Sequence, residues 1–112
     1  MPVGNRPALR ISWTTGLAAM RYLAILECPV IFSGESPNGM TSMDMCPSAG
    51  ITRGLISRHV KVIDSRVIAV CIWQSEFCAK LFFDADWYEK AGVLWGDRYQ
   101  LRLEAIDEAA VA

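Results

Sequence analysis

The chain has 112 residues, 53% of them hydrophobic and 21% charged, with a formal net charge of −1. That length suits one domain, and so balanced a charge leaves no electrostatic footprint for nucleic acid or an anionic membrane. No run approaches the ~18 apolar residues of a membrane span, and so apolar a short chain, with four tryptophans, predicts a second surface to cover and hence an oligomer.

Residues 1–19 carry Pro2, Gly4, Pro7 and Gly16 and show no steady period. Arg6 and Arg10 precede ISWTTGLAAM, but its hydroxyl residues and Arg21 break the apolar stretch that a signal peptide requires. The segment reads as a flexible N-terminal extension, followed by one domain over residues 20–106 and a tail over 107–112.

Tyr22 to Ile31 is the first strand, mostly apolar, with Pro29 near its end. Residues 33–39 form a loop by composition. In the following MTSMDMCPSAGITRG, Thr41 or Ser42 can cap a short helix that Pro47 and Gly50 keep from running on. Met40, Met43 and Met45 either line a pocket or fill irregular core space.

Leu55 to Ile63 is the second strand. Strict alternation puts Leu55, Ser57, His59 and Lys61 on one side and Ile56, Arg58, Val60 and Val62 on the other. Asp64-Ser65 is a two-residue hairpin turn into Val67–Trp73, seven unbroken apolar residues that suit a strand buried on both faces. The period then changes. Ser75 is a plausible N-cap for an amphipathic helix through Trp95, with a restart at Asp84 or Asp86 and a terminating glycine at Gly96. Tyr99, Leu101, Leu103 and Ala105 alternate with polar neighbours as a half-exposed last strand.

The order β, weak α, β, β, strong α, β predicts an α+β, ferredoxin-like βαββαβ fold: a four-stranded antiparallel sheet with helices on one face. The doubly apolar third strand needs cover on the other face as well. A second subunit supplies it, so the expectation is a homodimer joined through its sheets.

Cys28, Cys46, Cys71 and Cys78 contain no C-x-x-C pair, and His59 is the only histidine. No metal site is expected, and four reduced thiols point to the cytoplasm. No glycine-rich phosphate loop or Ser-His-Asp signature occurs, so no cofactor is expected. His59 is either a general base near neutral pH or a polar strand-face residue, solvated or hydrogen-bonded at an interface. Trp73, where the buried strand meets the helix, is either a pocket wall or a core anchor. Trp87 with Leu94, and Tyr88 with Trp95, make two adjacent apolar stripes on the helix. One stripe is expected to meet a partner subunit or a pocket mouth.

Gly54-Leu55-Ile56-Ser57-Arg58-His59, Ile72-Trp73-Gln74-Ser75-Glu76, Ala79, Phe82-Phe83, Asp86-Trp87 and Leu94-Trp95-Gly96 together resemble the dimeric α/β-barrel monooxygenase-like families. Within them the pattern is nearest to the YdhR-like monooxygenases, relatives of the antibiotic-biosynthesis monooxygenases. The likeness covers residues 54–106 closely and 20–53 by layout. Gln74 stands where the family has glutamate, His59 where it more often has tyrosine, and Pro47 and Gly50 break the first helix. The helix Ser75–Trp95 lacks the ligand histidine of haem-degrading relatives.

The resemblance implies a dimeric α/β barrel and cofactor-independent oxygenation of a small aromatic or polyketide-like substrate, held between sheet and helices. His59 would be the catalytic residue, with Arg58, Trp73, Trp87 and Tyr88 binding substrate. The alternative is a non-catalytic ligand-binding or stress-responsive barrel.

Overall fold

A computed structural model describes residues 20–48 and 50–107. Four strands, β1 (Met20–Pro29), β2 (Leu55–Ile63), β3 (Arg66–Trp73) and β4 (Gln100–Asp107), form one sheet in the order β2-β3-β1-β4, every neighbouring pair antiparallel. Two helices, α1 (Glu76–Phe82) and α2 (Ala85–Trp95), lie between β3 and β4 in sequence. This is the ferredoxin-like arrangement, with both helices packed on one face. The flexible extension expected over 1–19, and all but the first residue of the tail expected over 107–112, lie outside the described residues.

β3 shows why the sheet has a distinct inside. Val67, Ala69, Cys71 and Trp73 are buried, while Arg66, Ile68, Val70 and Ile72 between them are half-buried. Ala24, Leu26 and Cys28 of β1 extend the buried column, and Ala79, Trp87, Ala91, Leu94 and Trp95 close over it. On the open face Leu23, Ile25, Ile68, Val70 and Ile72 form an apolar centre. Ser57, His59 and Lys61 border it on one edge strand, and Arg102 and Glu104 on the other.

The Asp64-Ser65 turn has φ of 51° and 64°, both positive as a type I′ hairpin requires. Ser75 and Asp84 cap the two helices by accepting from the N–H groups of Cys78 and Trp87, and Gly96, at φ 64°, ends α2. The backbone breaks at Phe83 (φ −89°, ψ 67°), and the helix restarts at Asp84, one of the two restart points expected within 75–95, so the segment is two helices.

Three expectations are corrected. β1 runs Met20–Pro29 rather than Tyr22–Ile31, because Ile31 turns to pair with Ser42: Ser42 N–H donates to the Ile31 carbonyl at 3.1 Å. The weak helix before Pro47, capped by Thr41 as expected, is a single 3₁₀ turn, Ser42–Met45, and the loop expected over 33–39 holds another, Ser33–Glu35. A bulge between Leu55 and Ser57 lets Leu55 pair with Trp73 and join the helix-side core, away from the face of Ser57 and His59.

Candidate functional site

The first crossover, residues 30–54, covers the sheet without an α-helix among its described residues, so its backbone groups need other partners. Ser42, fully buried, supplies two: its hydroxyl accepts from Ile31 N–H at 2.7 Å and donates to the Pro29 carbonyl at 2.6 Å. Asp44 accepts from Thr41 N–H at 2.8 Å while Thr41 Oγ1 accepts from Asp44 N–H, a reciprocal cap. Glu35 accepts from Phe32 N–H at 2.9 Å. Arg58 reaches across from β2 and donates to the Pro47 carbonyl at 3.2 Å.

Held this way, the crossover stands off the sheet and leaves a cleft of about 360 Å³. Val30, Ile31 and Phe32 form one wall, Thr41, Ser42 and Met43 the other, and Val62 and Val67 the floor. Phe32 and Val62 are 67% and 59% exposed, so the mouth is apolar too. A second cleft, about 240 Å³, lies beside α2. Met40, Met45 and Trp87 give it apolar surface, and Asp44, Asp84, Asp86 and Lys90 give it charge. Those carboxylates are committed: Asp44 and Asp84 cap turns, and Asp86 pairs with Lys90 at 3.0 Å.

The side chains singled out from the sequence do not converge. His59 is exposed on the open face, paired in register with Val70, while Arg58 beside it points to the helix side and binds the crossover. Trp73 is fully buried, with its ring 5.8 and 5.9 Å from those of Phe82 and Phe83, and lines neither cleft. Trp87 is buried, borders the second cleft and donates from Nε1 to the Met45 carbonyl at 2.9 Å. Tyr88 alone faces out; Trp95 joins Trp87 in the core, so the two expected stripes are one buried stripe and one surface tyrosine.

The titratable groups inside the fold are not activated. Burial, reinforced by Cys46 and opposed by a nearby arginine, pushes the Cys28 thiol up to about 12 and the Cys71 thiol up to about 11. Burial likewise raises Cys46 against the opposing pull of Arg58. Burial, then the Tyr88 phenol, raises Tyr99. At neutral pH these groups are protonated and poor nucleophiles. Among the described residues no three His, Cys, Asp or Glu side chains group as a metal site, and no helix is long and apolar enough to cross a membrane.

The apolar cleft itself escaped the sequence reading. Its one signal is the methionine cluster, and both alternatives hold: Met43 lines the cleft, while Met45 is core.

No family model matches the chain, and no curated protein is similar to it. Among solved structures, a conserved protein from Methanosarcina mazei Go1 superposes with a TM-score of 0.52 at 11% identity, covering 79% of this chain and 94% of that one. That likeness is one of fold. A monooxygenase from the gene ActVA-Orf6 of Streptomyces coelicolor, in complex with Nanaomycin D, covers 79% of this chain and 88% of its own at 12% identity. Its TM-score of 0.46 is too low to add weight to any assignment.

Proposed function

We propose that this protein binds a small apolar molecule, aromatic or polyketide-like, in the cleft beneath the first crossover, as a cytoplasmic homodimer joined through the open sheet faces. The observation that carries the binding is the cleft, which is within the size range of small-ligand pockets and apolar in both lining and mouth. The dimer is supported by the half-buried Leu23, Ile25, Ile68, Val70 and Ile72, which present a continuous apolar centre inside a polar rim. Four free thiols suit a reducing compartment.

Cofactor-independent monooxygenation, in the YdhR-like manner, is the second reading, supported by the resemblance over residues 54–106. In it the protein orients an electron-rich substrate and a base takes its C–H proton. The carbanion adds molecular oxygen to give a hydroperoxide, and loss of water breaks the O–O bond and leaves a carbonyl. His59 is the residue proposed as base, and from the open face it acts at the dimer interface rather than in the cleft. Arg58, Trp73 and Trp87 lie across the sheet from His59, and Tyr88 lies on the outer side of α2, so in this reading they support the fold and do not touch the substrate.

One panel of hydroquinones and anthrones tests both readings, with binding followed by calorimetry and turnover by oxygen uptake. Binding without uptake supports the first. Uptake that His59→Ala abolishes supports the second, and neither signal removes both. Light scattering that gives a monomer removes the dimer.

A further inference from the structure

We infer that the cleft takes a purely hydrocarbon end of its ligand and recognises it without hydrogen bonds, leaving any polar part of the molecule in water outside the mouth. This rests on the proposed binding at that cleft and narrows the class of molecule that fits.

Most of the polar atoms around the cleft are already committed within the protein. The Ser42 hydroxyl is used as both donor and acceptor, by Pro29 and Ile31. Thr41 Oγ1 accepts from Asp44 N–H. The backbone N–H groups of Val30, Ile31, Phe32 and Thr41 donate to the Ser65 carbonyl, Ser42 Oγ, Glu35 Oε1 and Asp44 Oδ2 in turn. The Ile31 and Phe32 carbonyls accept from Ser42 and Glu35 N–H. No charged side chain lines the space.

A ligand hydroxyl placed there gives up water and finds most of its natural partners already engaged, which weakens binding roughly ten- to hundred-fold. A peptide segment fares worse, since it brings an N–H and a C=O with every residue to walls whose backbone is already paired. A hydrocarbon has nothing to lose. An apolar cavity of ~150 Å³ holds a benzene, so the 360 Å³ here has room for two fused rings or an alkyl chain of similar bulk. A phenol or hydroquinone therefore enters, if at all, with its oxygen outward, and no proton is drawn from it inside the cleft.

The test uses the full-length protein and two matched pairs of probes: octanoate against 8-hydroxyoctanoate, and 2-naphthylacetate against 6-hydroxy-2-naphthylacetate. Titration calorimetry is expected to give Kd values roughly ten-fold or more tighter for the unhydroxylated member of each pair. Val62→Thr, near-isosteric and at an exposed edge of the floor, is expected to weaken the unhydroxylated probes and narrow the gap within each pair. Phe77→Ser, on exposed α1, is expected to leave both unchanged. Equal affinity within the pairs or tighter binding of the hydroxylated members overturns the inference while leaving cleft binding intact, and loss of binding in Phe77→Ser places the probes on α1 and overturns both. If none of the four probes binds, the binding proposal falls and the inference with it.

Discussion

The two crossovers cover the same face of the sheet by opposite means. The second, between β3 and β4, is helical: Ser75, Asp84 and Gly96 handle its ends, and its interior backbone pairs with itself. Its side chains are free to pack, and Phe82, Phe83, Trp87, Trp95 and Tyr99 form a continuous chain of ring contacts with centroids 4.8 to 6.3 Å apart. The first crossover has no such self-sufficiency. Ser42, Thr41, Asp44, Glu35 and, from β2, Arg58 are committed to its backbone, and fewer side chains remain to fill the space beneath. Regular structure yields a dense core; irregular structure, with most of its polar groups tied up locally, yields an apolar cleft.

The largest expected effect lies at the seam between them. Gly54 ends the first crossover at φ +81°, and its carbonyl accepts from Gln74 N–H, where the second crossover begins. A Cβ built on it would lie 2.5 Å from Cys78 Cβ and closer still to Sγ on α1. Gly54→Ala therefore combines left-handed strain with overpacking, and is expected to cost about 3 kcal/mol or more in urea unfolding. Gly54→Ala in a Cys78→Gly background, measured against Cys78→Gly alone, separates the two, since an alanine at 78 would keep the Cβ contact. Recovery of about half the loss, again in urea, is the expected result, since the strain remains when the clash is relieved.

The contrast also explains what the sequence discloses. β2 is legible to the residue because alternation and a two-residue turn fix it, and the caps at Ser75, Asp84 and Gly96 are local chemistry. Three features depend on tertiary structure and are not. Ile56 gives no local sign of the bulge that sends Leu55 inward. Alternation puts Arg58 and His59 on opposite faces but cannot say which face the helices choose; the structure gives it to Arg58. Nor does spacing show that Ser42 serves a strand end thirteen residues before it, at Pro29, rather than a helix. The cleft is invisible because it is what remains after those long-range bonds are made.

The next effect tests the link between the crossovers. Trp87 Nε1–H donating to the Met45 carbonyl is a buried hydrogen bond from α2 to the first crossover. Trp87→Phe keeps most of the ring contacts but leaves that carbonyl without its donor and a gap where the larger ring stood. The expected loss is about 2 kcal/mol. Hydrogen exchange should quicken at Asp44 and Cys46, whose N–H groups close the turn, and stay slow through Tyr88 and Gly96. Equal acceleration in both segments would mean the crossovers open as one unit and that their contrast is only geometric.

The smallest effect belongs to neither crossover. Ser65 sits at φ 64° in the second central position of the β2–β3 hairpin, where a type I′ turn favours glycine. Ser65→Gly removes left-handed strain of about 1 kcal/mol and returns part of it as added freedom in the unfolded chain, for a net gain near ~0.5 kcal/mol. A chain of this size should then melt roughly 2–4 °C higher. The Ser65 carbonyl, which accepts from Val30 N–H at 2.9 Å beside the cleft, survives the substitution. Probe affinity should therefore be unchanged while stability rises. That result separates the cleft's chemistry, which depends on side chains tied to the first crossover's backbone, from the stability of the sheet beneath it. A fall in melting temperature would instead mean that the hydroxymethyl of Ser65 contributes more to the turn than its strain removes.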